Sequence, residues 1–301
     1  MRKKHSTFLL AFALMALCAH RASADAWTQK EKSYIVKVLF SRIDTRQEFN
    51  VRGIRAPLFS EFAGVAEGEY STTDISFYGE YGFTDAFTVI GATQYRQSTS
   101  SNVDSFLVQR PNSGFGDVFV AGRVQLLDAP LAGSVQVGVK FPLADTGSAI
   151  AVALGNGEMD FEALAAVGKE FYAIGVPWVA QGEWGFHFRG GNYGDEIMYG
   201  AQVQTELGGK VQLRGKVDGL ITQGKVHAPV FNEQISPGFA LTSNRTVMRA
   251  TAGTSYLVSK KLKFFLDWTT VIDGRNTLAG NIINLGIAFT PGPPNPLTPK
   301  P

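Results

Sequence analysis

After residue 32, apolar and polar residues alternate with a period of two along nearly the whole chain, and the 3.6-residue spacing of an amphipathic helix is almost absent. In the stretch from Ser134 to Phe141, Val135, Val137, Val139 and Phe141 share one face, and Ser134, Gln136, Gly138 and Lys140 share the other. Trp184, Phe186 and Phe188 stand opposite Gln181, Glu183, His187 and Arg189. Val211, Leu213 and Val217 stand opposite Lys210, Gln212, Arg214, Lys216 and Asp218, and Leu262, Phe264, Leu266 and Trp268 form another apolar row. This pattern predicts about 12 strands, over 33–43, 70–82, 86–97, 115–127, 132–143, 158–170, 177–189, 195–207, 210–222, 246–258, 261–272 and 278–289. Each is about 10–13 residues long. Ordinary strands have a mode near 5–6, whereas a tilted membrane-spanning strand needs about 9–11.

The connections alternate in length. Gly82–Asp85, Leu127–Pro130, Phe171–Val176, Gly208–Gly209 and Ser259–Lys260 are short. The intervening ones, at 44–69, 98–114, 144–157, 190–194, 223–245 and 273–277, are longer or more polar. Short turns at one end and long loops at the other describe an outer-membrane barrel, and an even strand count lets the first and last strands close antiparallel. The expected fold is therefore all-β: an antiparallel transmembrane β-barrel of about 12 strands with short periplasmic turns and longer extracellular loops. Aromatic residues gather near the predicted strand ends (Tyr81, Phe83, Phe87, Trp178, Trp184, Phe186, Phe188, Trp268 and Phe289), where interfacial girdles would place them. A secreted soluble β-sandwich would show the same alternation with its apolar face turned inward. Strand length, an export signal ahead of a cysteine-free chain and the aromatic placement favour the membrane barrel.

Composition sharpens this picture. The 301 residues are 45% apolar and only 18% charged, and no run after the N-terminus approaches the ~18 uncharged apolar residues of a membrane helix. A formal charge of +2 argues against a nucleic-acid partner. Met1–His5 is basic, Phe8–Ala19 is uncharged and mostly apolar, and Ala22-Ser23-Ala24 fits a cleavage site, so residues 1–24 read as a secretory signal peptide. Cleavage there removes four bases and no acid, leaving 24 bases against 26 acids, and it removes the single cysteine, Cys18. The expected organisation is a signal peptide over 1–24, an N-terminal periplasmic segment over 25–32, a barrel over 33–289 and a tail over 290–301. The tail holds six prolines in its 12 residues and cannot form a strand.

Little in the chain points to catalysis. His187 and His227 with no cysteine do not make a structural zinc site. No G-x-S-x-G elbow occurs, and Gly114-Phe115-Gly116-Asp117 precedes a strand rather than a phosphate-binding helix. Neither an enzyme nor a cofactor is expected. The polar parity instead turns both signs of charge inward: Lys37, Glu80, Arg96, Asp117, Arg123, Lys140, Asp160, Glu162, Glu183, Arg189, Lys216, Arg249 and Asp267. Of these, Arg123, Lys140, Asp160, Glu162, Glu183, Arg189, Lys216, Arg249 and Asp267, together with His187, are the pore-lining candidates. They would either guide a solute or fill the barrel with ion pairs. About 8 strands give a filled interior and 16–18 a wide channel, so 12 predicts a narrow or obstructed lumen.

With these residues placed, the chain resembles the outer-membrane proteins grouped under the meta-pathway of phenol degradation. The resemblance is carried by Ala26-Trp27-Thr28, the turn Gly82-Phe83-Thr84-Asp85, Gly114-Phe115-Gly116-Asp117 opening a strand, and Pro177-Trp178 leading to Glu183–Arg189, and it spans most of the chain after residue 24. It implies a bacterial outer-membrane transporter that passes hydrophobic or aromatic compounds. It also implies outer-membrane lipid and the barrel-insertion machinery as partners. Phe289 fits the terminal aromatic that this machinery reads, although Thr290–Pro301 follows it. Two functions stay open: a transport barrel for a small hydrophobic or aromatic solute, or a non-transporting structural or adhesion barrel with a filled lumen.

Overall fold

The computed structural model describes residues 25–58, 68–102, 109–146, 153–191, 193–223 and 245–290. The signal peptide expected over 1–24 and the tail beyond Thr290 lie outside them. The described chain is all-β: β1 (Tyr34–Thr45), β2 (Gln47–Phe49), β3 (Arg55–Pro57), β4 (Gly68–Thr84), β5 (Phe87–Asn102), β6 (Gln109–Phe115), β7 (Val118–Leu127), β8 (Ala132–Phe141), β9 (Asp160–Ala173), β10 (Val176–Phe188), β11 (Glu196–Leu207), β12 (Val211–Thr222), β13 (Thr246–Leu257), β14 (Leu262–Arg275), β15 (Thr277–Ala279) and β16 (Asn281–Phe289).

Twelve of these close an antiparallel barrel in the order β1-β4-β5-β7-β8-β9-β10-β11-β12-β13-β14-β16 and back to β1. The seam runs in continuous register from Val36 opposite Phe289 to Ile43 opposite Ile282. All twelve predicted strands are present. β6 continues the line of β7 along β5 beyond a break at Gly116–Asp117, so much of the expected loop over 98–114 is wall. Gly116 is needed at the break because a Cβ there would stand 2.8 Å from the Gln94 side chain. β2, β3 and β15 peel off into a separate three-stranded sheet at the long-loop end. There Ile43, Leu58, Tyr70 and Leu278 form a small buried cluster.

The faces resolve as the alternation predicts. Val135 and Val137 project outward while Ser134 and Gln136 are buried inside. Outward aromatics form two zones. Tyr81, Phe83 and Phe87 contact one another at the short-turn end, and Phe171 stacks on Trp178 there. Trp184, Phe186 and Phe188 form a row towards the long-loop end of β10. An exposed apolar wall flanked by aromatic zones is stable in lipid and not in water. The turns at one end are tight: the three-residue turn between Leu207 and Val211 opens with Gly208 and Gly209, both at positive φ (58° and 68°), where glycine is favoured.

Val137 is 57% exposed on the apolar face. Val137→Arg places a charge against lipid and should cost about 2–4 kcal/mol near the midplane. Gln202→Arg, which projects into the lumen, should fold nearly as the parent. Heat-modifiable gel mobility across a urea series checks both, and equal tolerance would contradict the assigned faces.

Candidate functional site: a plugged, charge-lined lumen

The N-terminal segment before β1 folds back into the barrel from the short-turn end. Small inward residues on neighbouring strands make its seat. Ala26 is fully buried with Ala132, Leu164 and Ala166, and Trp27 packs against the same group. A Cβ on Gly168 would stand 2.5 Å from the Trp27 ring and 2.7 Å from the Ala26 methyl, so glycine is what admits the indole. The wall also satisfies the segment's backbone. Ser134 Oγ donates to the Asp25 carbonyl at 2.6 Å and Gln125 Nε2 to the Ala26 carbonyl at 2.9 Å. The Thr28 amide donates to Gln125 Oε1 at 2.8 Å and the Gln29 amide to Thr88 Oγ1 at 2.7 Å. Arg123 reaches the Trp27 carbonyl at 3.2 Å. At the mouth the Glu31 amide, and then the Lys30 ammonium, hold the Asp85 carboxyl below the usual carboxylate range. A lowered pKa contributes stability above the ordinary range that is lost as pH falls, but Asp85 is exposed and the effect is small.

Above the segment lies a cavity of about 430 Å³, within the range of small-molecule sites. Its lining mixes apolar and charged residues. Leu39, Ile43, Leu220, Val247, Val271 and Ile282 supply apolar surface. Lys140, Asp160, His187 and Arg189 face it from β8 to β10 and the start of the following loop, and Arg249 and Asp267 from β13 and β14.

Every pore-lining candidate points into the barrel, and each is held by a partner. Arg123 is fully buried, 3.3 Å from Glu80 and 3.0 Å from Gln136 Oε1. Glu162 accepts from Gln136 at 3.2 Å. Lys140 lies 3.0 Å from Asp117 and 2.8 Å from Asp160. The His187 ring sits between Glu196, 2.7 Å from Nδ1, and Asp160, 3.4 Å from Nε2. Arg189 lies 3.4 Å from Glu196, and its guanidinium stacks 4.4 Å above the Tyr193 ring. Lys216 pairs with Glu183 at 3.3 Å, Arg249 with Asp218 at 3.0 Å, and Asp267 with Arg214. Gly253 leaves the space for that last contact, because a Cβ there would meet the Asp267 carboxylate at 2.1 Å. Lys37 lies over the Tyr78 ring, and Arg96 forms a double hydrogen bond with Asp74.

Arg123 and Glu183 do not line the cavity itself. Residues the inward list omitted complete the network: Glu196, Arg245, Asp218, Arg214 and Asp74. Arg214 and Asp218 were already on the polar parity. The available signal for Glu196 was its place directly across a short loop from His187. Glu196 is completely buried and joins His187, Arg189 and Arg245, the last at 2.8 Å.

The fold and its interior define an outer-membrane-type barrel with an internal N-terminal plug and a paired, partly open lumen. No protein-family model matches this chain, and no curated protein matches it either. Among solved structures it is similar to the COG4313 outer membrane channel from Pseudomonas putida F1, with a TM-score of 0.65 and 13% identity over 90% of this chain and 100% of that one. It is also similar to the KdgM porin (TM-score 0.45, 7% identity, 84% of this chain and 98% of that one). A third similar structure is the CymD monoaromatic hydrocarbon channel (TM-score 0.43, 10% identity, 89% of this chain and 90% of that one). Of these three, the first alone bears on the fold.

Two outcomes follow. Gly168→Leu evicts Trp27 without removing a hydrogen bond between wall strands, so single-channel conductance in planar bilayers should rise severalfold while heat-modifiable mobility is kept. Glu196→Gln leaves Arg189 and Arg245 facing each other without their shared carboxylate. Breaking a buried pair in this way costs about 3–5 kcal/mol, which a urea unfolding midpoint should register.

Proposed function

We propose that this chain is an outer-membrane channel for small hydrophobic or aromatic solutes that carry a polar group. The mixed lining of the cavity carries the reading: its apolar residues fit a hydrocarbon or ring, and the paired charges beside them fit a hydroxyl or carboxylate. The resemblance to the phenol meta-pathway outer-membrane proteins supports the same solute class. In this reading Arg123, Lys140, Asp160, Glu162, Glu183, His187, Arg189, Lys216, Arg249 and Asp267 line the route, with Arg123 and Glu183 below the cavity. The signal peptide is cleaved after Ala24, so the new terminus at Asp25 belongs to the plug. The barrel is inserted into the bacterial outer membrane by the barrel-insertion machinery, and transport, not catalysis, is its task.

One observation favours a second reading. All ten candidates are held by polar partners and the segment from Asp25 to Gln29 occupies the lumen, which suits a filled, non-transporting barrel.

Liposome swelling separates the two. Proteoliposomes should swell faster in benzoate or phenol than in a sugar of similar size, and faster still with Gly168→Leu. No swelling from either protein would leave the filled barrel as the function.

A further inference from the structure

The outer wall carries one feature that a lumenal function does not use. At the short-turn end, the turn between β11 and β12 presents Lys210, and the turn between β13 and β14 presents Lys260 and Lys261. All three are exposed. The Leu257 amide donates to the Lys210 carbonyl at 2.8 Å, which ties the two turns together. No acid occurs over 208–213 or 255–265, and none of the three ammonium groups is in an ion pair among the described residues. Two other cations of this rim differ: Lys30 lies 3.6 Å from Asp85, and Lys32 lies 2.6 Å from Glu31.

Directly along the wall from these lysines runs an apolar groove of about 620 Å³ across β13, β14, β16 and β1. Phe40, Tyr256, Phe264, Leu266, Leu285 and Ile287 are its walls. Thr254 is the small outward residue next to Tyr256 on β13, and it lines the groove. Tyr256 and Phe264 stand opposite each other, close to the Lys260–Lys261 turn.

The geometry points to a binding site for one anionic phospholipid of the periplasmic leaflet. Its phosphate would sit among Lys210, Lys260 and Lys261, with the Tyr256 hydroxyl within reach of the glycerol region, and one acyl chain would lie in the groove. Charge complementarity selects the occupant. Three cations without acids, set at headgroup depth, favour a net negative headgroup over a zwitterionic one. The groove supplies what a free anion could not use. This inference is independent of what passes through the lumen.

Native mass spectrometry of the purified barrel tests it, using dioleoyl phosphatidylglycerol, dioleoyl phosphatidylcholine and inorganic phosphate as probes. The parent should retain one phosphatidylglycerol at least tenfold more tightly than phosphatidylcholine, and phosphate at the same concentration should not displace it. The combined Lys210→Gln, Lys260→Gln, Lys261→Gln variant should lose that preference. Thr254→Trp, which fills the groove and keeps the lysines, should weaken retention as well. Lys169→Gln, elsewhere on the rim, should behave as the parent. Heat-modifiable mobility confirms that each variant is folded. Equal retention of the two lipids, full preference in the triple variant, undiminished retention by Thr254→Trp, or displacement by phosphate alone would each overturn the proposal.

Discussion

The structure depends on one constraint: in lipid, a wall strand has no water to satisfy its amides and carbonyls, so every strand needs a neighbour on both sides. The seam between β1 and β16 meets that demand, and an even number of antiparallel strands lets it do so. Once the wall is closed, the pleat distributes the side chains. Residues such as Val137, Trp184 and Leu285 face lipid, and their neighbours in sequence must turn inward. The polar interior is thus a consequence of closure and alternation, before any function is considered.

An interior filled with Lys, Arg, Asp and Glu then raises its own problem, since an unaccompanied charge away from bulk water is costly. The chain answers with pairs across neighbouring strands. Asp218 stands directly opposite Arg249, and Glu196 directly opposite His187. Register places these partners, so the hydrogen bonds that close the wall also neutralise the lumen. Where two bases meet near one acid, as Arg189 and Arg245 do at Glu196, the acid is wholly buried and the cluster is fixed. What remains open is the space left among the pairs and apolar residues such as Leu220, Val247 and Val271.

The sequence discloses the wall because the wall is periodic. Its inward parity already names the candidate residues, since one-residue alternation fixes which side chains share the interior. The features that escape it lack a period. β5 from Gln97 to Ser100 and β6 at Asn112 and Ser113 are polar on both faces, because there the wall extends past the apolar belt and its outer side no longer needs to be hydrophobic. β2, β3 and β15 are three residues each, too short to leave an alternation. The lumenal docking of Asp25 to Gln29 depends on hydrogen-bond partners as far as 109 residues away and on packing partners farther still, and a short stretch of mixed residues carries no sign of them. The sequence does preserve the complementary half of that contact, in Ala132, Ala166 and Gly168, three small residues on inward positions of β8 and β9.

Charge placement separates the two sides of the wall. Inside, candidates such as Lys140 and Arg249 lie within hydrogen-bond reach of acids, because there the protein must itself supply the counter-charge. At the short-turn corner outside, Lys210, Lys260 and Lys261 lie beside no acid, although rim positions elsewhere carry Asp85 and Glu170. An exposed ammonium is well solvated and needs no partner for folding, so stability alone does not account for keeping acids away from two adjacent turns. An anionic headgroup does account for it, since a nearby carboxylate would compete for the same ammonium groups. The apolar groove that begins below those turns gives the same ligand its second point of attachment, and it is this coincidence of charge and groove on one corner of the wall that distinguishes a lipid site from scattered surface lysines.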